Sequence, residues 1–70
     1  MGEDSGTWKR GDVTFKWHGG RTINIFVGGR EVDVISFGYN ADDKRPTKAE
    51  AYEHVKDYDL ERAQEAAENM

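Results

Sequence analysis

Thr22-Ile23-Asn24-Ile25-Phe26-Val27-Gly28-Gly29-Arg30-Glu31-Val32-Asp33-Val34 is the stretch that decides the fold. It holds two runs of β-branched and aromatic residues, as strands prefer, separated by a glycine pair that signals a two-residue hairpin turn. Ile23, Ile25 and Val27 alternate with polar neighbours in the first run, and Val32 and Val34 do so in the second. A turn at Gly28-Gly29 pairs Val27 with Arg30, Ile25 with Val32 and Ile23 with Val34, which puts both apolar sets on one face.

Working backward, Asp12-Val13-Thr14-Phe15-Lys16-Trp17-His18 repeats the alternation, with Val13, Phe15 and Trp17 on one side. A three-residue loop His18-Gly19-Gly20 brings Phe15 opposite Ile23 and Val13 opposite Ile25, with Gly20 as the left-handed residue. A two-residue turn would set apolar side chains against polar ones. The expected buried face is therefore Val13, Phe15, Trp17, Ile23, Ile25, Val27, Val32 and Val34. The other face carries Thr14, Lys16, Thr22, Asn24, Glu31 and Asp33, and with them Phe26, Ile35 and Phe37. Either a bulge after Val34 re-aims the strand, or an apolar patch lies on the wet face.

Working forward, residues 38–46 read as a polar loop. Thr47-Lys48-Ala49-Glu50 is a capping box, and good helix formers follow to the end. Ala49, Tyr52 and Val55 form one stripe and Leu60, Ala63, Ala67 and Met70 another; they join badly across Lys56-Asp57-Tyr58-Asp59. The expectation is one helix over about 47–68, with a break near 57–59, capped by Asp57 or Asp59, as the alternative. The fold class is α+β: a three-stranded antiparallel meander (about 12–18, 22–28, 31–37) followed by a C-terminal helix. Residues 1–7 read as a flexible tail and 8–70 as a single domain.

Seventy residues without cysteine exclude disulfides and thiolate chemistry, so the chain stands on a small core or on a partner. No apolar run is long enough to span a membrane, and Met1–Gly6 lacks the features of a signal peptide. A cytoplasmic location is expected. The net charge of −4 lies entirely in residues 41–70, where five basic side chains meet nine acidic ones; residues 1–40 carry five of each. The helical acids Glu50, Glu53, Asp57, Asp59, Glu61, Glu65 and Glu68 read as a solvated face, or as a surface for a basic partner.

Chemistry-bearing motifs are few. His18 and His54 have no metal-ligand spacing, the glycine pairs are hairpin turns and not phosphate loops, and Ser5 and Ser36 lack a nucleophile motif. No enzyme activity, metal or cofactor is expected. Phe26, Ile35, Phe37 and Tyr39 are the expected contact surface for a protein partner or for a second copy of the chain. The alternative is nucleic-acid binding through the sheet face and the basic hairpin residues Lys16, Arg21 and Arg30, with Lys9, Arg10 and His18 near them; Glu31 and Asp33 on that face oppose it.

The segments Val27-Gly28-Gly29-Arg30-Glu31-Val32-Asp33-Val34 and Pro46-Thr47-Lys48-Ala49-Glu50-Ala51-Tyr52 resemble short proteins encoded by bacteriophages of actinobacteria. That resemblance implies a phage-type accessory or regulatory protein, working in the cytoplasm of the host cell. The order strand-strand-strand-helix is also similar to that of the arm-type DNA-binding domain of phage integrases and of the plant AP2 domain, a likeness of fold that does not carry function.

Overall fold

The computed structural model describes residues 5–37 and 46–69. Its architecture is a four-stranded antiparallel sheet in sequence order, β1 (Gly6–Arg10), β2 (Val13–Trp17), β3 (Thr22–Val27) and β4 (Arg30–Ser36), followed by two helices, α1 (Lys48–Asp57) and α2 (Leu60–Glu68). The α+β class is as expected, but there is one more strand and one more helix. None of the helices is long and apolar enough to cross a membrane.

The additional strand is β1, whose first two residues fall in the segment expected to be a tail. Gly6-Thr7-Trp8-Lys9-Arg10 is polar apart from Trp8, so its alternation is hard to see. It joins β2 through Gly11-Asp12, with Trp8 opposite Phe15 and Arg10 opposite Val13. Gly6, Trp8 and Arg10 face the helices, while Thr7 and Lys9 face solvent.

The β2–β3 register differs from the expected one by two residues. Phe15 pairs with Ile25, Val13 with Val27 and Trp17 with Ile23. A shift of two keeps the same side chains on the same face, so the core is unchanged. The longer loop lets Trp17 face an isoleucine, where the shorter one would have set it opposite Arg21. The Trp17 indole N–H donates to the Gly20 carbonyl at 2.8 Å and pins the loop. Gly19, at φ 87°, supplies the left-handed residue in place of Gly20.

The β3–β4 turn is as expected: Gly28 and Gly29, at φ 62° and 81°, form the two-residue turn and Val27 pairs with Arg30. Beyond it the register slips. Phe26 pairs with Glu31 but Ile25 pairs with Asp33, leaving Val32 as the extra residue of a β-bulge. The bulge therefore precedes Val34 and does not follow it. From there on every side chain of β4 lies opposite to expectation. Val34 turns outward, 46% exposed. Ile35 turns inward opposite Ile23, and Phe37 is buried at 2% exposure with its N–H donating to the Arg21 carbonyl. Seven of the eight expected core-face residues pack in or against the core, and Ile35 and Phe37 take the place of Val34.

The capping box forms: the Thr47 N–H donates to Glu50 Oε1 at 2.9 Å and the Glu50 N–H to Thr47 Oγ1 at 3.2 Å. The helical segment breaks at Tyr58-Asp59, and the Asp59 carboxylate caps α2 by accepting from the Glu61 N–H at 3.0 Å. The break reconciles the two stripes. Ala51 and Val55 of α1, Tyr58, and Ala63 of α2 are all buried against the sheet, with Leu60 packed beside them.

Candidate functional site

Both helices lie on one face of the sheet, so the other face is the natural place to look for a contact surface. On that face the register aligns Thr7 and Lys9 of β1, Thr14 and Lys16 of β2, Asn24 and Phe26 of β3, and Glu31 and Val34 of β4. Lys16 stands with its ammonium 5.0 Å from the centroid of the half-buried Phe26 ring, a cation–π geometry that covers part of the aromatic surface. Asn24 donates through Nδ2 to Glu31 Oε2 at 3.0 Å. Arg21 and Arg30 are exposed at the two ends of β3. A hollow between the Gly11-Asp12 and Gly28-Gly29 turns is bordered by Lys9 and Thr14.

The charge of this face follows from the bulge. By simple alternation Asp33 would stand beside Glu31 on the open side. With Val32 as the extra residue, Asp33 points to the helices instead and accepts a 2.7 Å hydrogen bond from the Tyr58 hydroxyl. Arg62 of α2 stands 3.7 Å from the same carboxylate oxygen. Arg10 also points inward: its Nη1 donates to the Val55 carbonyl at 2.6 Å and to the Tyr58 carbonyl at 2.9 Å. The open face thus keeps Lys9 and Lys16 against Glu31, with Asp12 in the adjoining turn, while Arg21 and Arg30 are exposed with the parity of the core side, opposite Phe37 and Val27. The helices carry seven carboxylates with Asp59 at their junction, against Lys48, Lys56 and Arg62. The acidic charge of the chain is thus concentrated on its helix side.

The four expected contact residues are not brought together. Phe26 lies on the open face. Ile35 and Phe37 belong to the core side, with the Phe37 ring 4.8 Å from the exposed His54 ring. Tyr39 lies outside the described residues. Of the expected nucleic-acid contacts, Lys16 is on the open face, whereas Arg21 and Arg30 are exposed at the two ends of β3 with the parity of the core side, so the three are not brought together. Lys9, Thr7 and Thr14 join Lys16 on that face, and the alternation of the sequence did not place Lys9 because it did not place β1. Trp8 followed by Gly11-Asp12 was the available signal: an aromatic and a turn at the spacing of one more hairpin arm.

A second cleft lies between β4 and the helix break, lined by Asp33, Ile35, His54, Asp57, Tyr58 and Arg62 among others. The Tyr58 phenol lies in it. Burial, then the hydrogen bond and the charge of Asp33, push the phenol well above its usual range. That direction keeps the hydroxyl neutral and donating, which suits a structural tie and opposes a phenolate base or nucleophile. Among the described residues no three His, Asp or Glu side chains converge as metal ligands.

Comparison with protein-family models finds no match, and neither the curated proteins nor the solved structures contain one. The chemistry of the open face is therefore the basis for a functional reading.

Proposed function

We propose that this chain is a non-enzymatic binding module that holds nucleic acid against its open sheet face. The observation that carries the reading is the segregation of charge. The bulge at Val32 sends Asp33 to the helix side and leaves Lys9 and Lys16 on the face against Glu31, while most carboxylates lie on the opposite layer. Lysine and arginine contacts to phosphate supply most of the affinity of such modules, through release of counterions. The Thr7 and Thr14 hydroxyls add short donors, and Phe26 offers one apolar edge.

The competing proposal is a protein partner or second copy on the same face. It loses support because Ile35 and Phe37 are spent in the core, leaving Phe26 and Val34 as the apolar groups there.

Fluorescence anisotropy with a labelled 20-nucleotide duplex at low salt tests the reading. Two phosphate contacts, by Lys9 and Lys16, predict a slope of log K against log salt of about −1.8 for duplex DNA. K9E and K16E together should abolish binding, while charge reversal of the helical Glu53 and Glu61 should not weaken it. No binding by the wild-type chain at low salt would reject the proposal. An unchanged mass on sedimentation and an intact fold in the K9E/K16E variant keep self-association and misfolding apart from loss of the ligand.

A further inference from the structure

We infer that the module recognises the nucleic-acid backbone without reading base sequence, because its one central amide is held by a carboxylate of the same face. The inference rests on the reading of the open sheet face given above. Base edges in a groove are told apart chiefly by side chains that present two hydrogen-bonding groups at once: arginine on guanine, asparagine or glutamine on adenine. On the open face of β1 to β4 only Asn24 is of that kind. One of its two amide N–H groups already donates to Glu31 Oε2 at 3.0 Å, so the amide is oriented by a carboxylate of its own face and is not free to turn and align with a base. Glu31 stands opposite Phe26 on the neighbouring strand, beside the position from which a base would be approached, and repels phosphate from that point.

The other groups on the face suit the backbone. Lys9 and Lys16 are point charges with no fixed plane, and Lys16 is drawn over Phe26 at 5.0 Å. Phe26 is a lone, half-buried ring partly covered by that ammonium, so it offers no multi-base stacking platform of the kind that reads single strands. The two arginines able to make planar paired contacts sit in the β2–β3 loop and at the start of β4, at opposite ends of β3. There the register gives both the parity of the core side, Arg30 opposite Val27 and Arg21 opposite Phe37, so neither is aimed at the open face.

Selection from a random duplex pool tests this, read beside anisotropy titrations on two duplexes of unrelated sequence. The expected result is no enriched motif, affinities within about threefold of one another, and the same salt slope for both, as backbone contacts require. A recovered consensus, or a preference beyond about tenfold, which is the size a good base contact gives, would overturn the inference and leave the proposed function standing. Failure to bind either duplex would overturn both. E31A separates the role of the carboxylate: with Asn24 released and one negative charge removed, both duplexes should bind more tightly. A gain confined to one of the two sequences would show that Asn24 then reads a base, which supports the restraint. E31A binding neither duplex more tightly than wild type would overturn it.

Discussion

Replacing Arg10 by methionine should remove a large part of the stability of this chain, although Arg10 is a partly exposed residue near the end of an edge strand. Its Nη1 donates to the Val55 carbonyl at 2.6 Å and to the Tyr58 carbonyl at 2.9 Å. Val55 lies in the last turn of α1, where carbonyls lack intrahelical partners, and its other bond is a long 3.4 Å one from the Tyr58 N–H. The guanidinium thus ends α1, neutralises the negative end of its dipole and ties the helix break to β1. Hydrogen bonds to a charged group contribute about 1.5–3 kcal/mol each. Two bonds sharing one partly solvated nitrogen fall short of twice that, so about 2–3 kcal/mol is expected for R10M, which keeps most of the stem packing. A 70-residue domain has about 3.5–10 kcal/mol in all. The assay is urea unfolding followed by the fluorescence of Trp8 and Trp17. With a slope near ~1 kcal/mol per molar, the midpoint should fall by about 2–3 M. R10K, with a charge but no planar fork, should lie between. An R10M midpoint within about 0.5 kcal/mol of wild type, the range of an ordinary surface substitution, would refute the role of Arg10 as the tie between sheet and helices.

Three further outcomes are expected. Because the fold raises the Tyr58 pKa, the protonated phenol is favoured in the native state: its contribution is full below the unfolded value near ~10 and is lost as pH rises above it. The urea midpoint should therefore fall more steeply between pH 9 and about 11 in wild type than in Y58F, and equal slopes would contradict the Tyr58–Asp33 tie. Phe37→Ala should cost about 3–5 kcal/mol as a core truncation, whereas Phe26→Ala should cost under about 1.5 kcal/mol, with the order read from thermal melts. Deletion of Val32 would remove the extra residue and leave Asp33, Ile35 and Phe37 inward on the same partners in a regular ladder. The variant should therefore fold and lose only the partial burial of one valine, under about 3 kcal/mol, measured by the same unfolding curves; a larger loss, as expected if Ile35 and Phe37 were turned to solvent, would exclude the bulge.

What the sequence disclosed was parity; what it hid was register. Alternation in Asp12–His18 and Thr22–Val27 places Val13, Phe15, Trp17, Ile23 and Ile25 in the core whichever of two loop lengths is chosen, because a slip of two residues leaves every side chain on its face. The Gly28-Gly29 turn was legible because both glycines take the left-handed conformation that a two-residue hairpin demands. The capping box at Thr47 was legible for a similar reason: its partners are three residues apart and need nothing from the rest of the chain. The bulge was legible only as an anomaly. Phe26, Ile35 and Phe37 could not all share the wet face, but nothing local says which residue is extra. That choice is made by Tyr58 and the helices, which reward an inward Asp33 with a hydrogen bond and an inward Phe37 with burial. Strand β1 was hidden for the opposite reason: one aromatic among polar residues gives almost no period, and its place in the sheet is set by Trp8 packing near Tyr52, their centroids 6.0 Å apart, and by Arg10 reaching α1.

These same contacts tie the functional reading to the fold. The strands and their turns, residues 5–37, hold five basic and three acidic side chains, a balance that says little about a partner. Attachment of the helices changes how those charges are placed. Asp33 is drawn inward to Tyr58 and Arg62, while Arg10, opposite Val13, stands on the helix side by alternation and reaches the end of α1. The carboxylate drawn inward comes from the strand beside Phe26 and Asn24, at the middle of what would be the contact surface. Glu31 then remains as the single acidic group within the face, and Asn24 engages it. A basic surface at the centre of an acidic protein is thus a product of tertiary structure. It arises because one inserted residue, Val32, lets β4 send a carboxylate to the helices without giving up its place in the ladder.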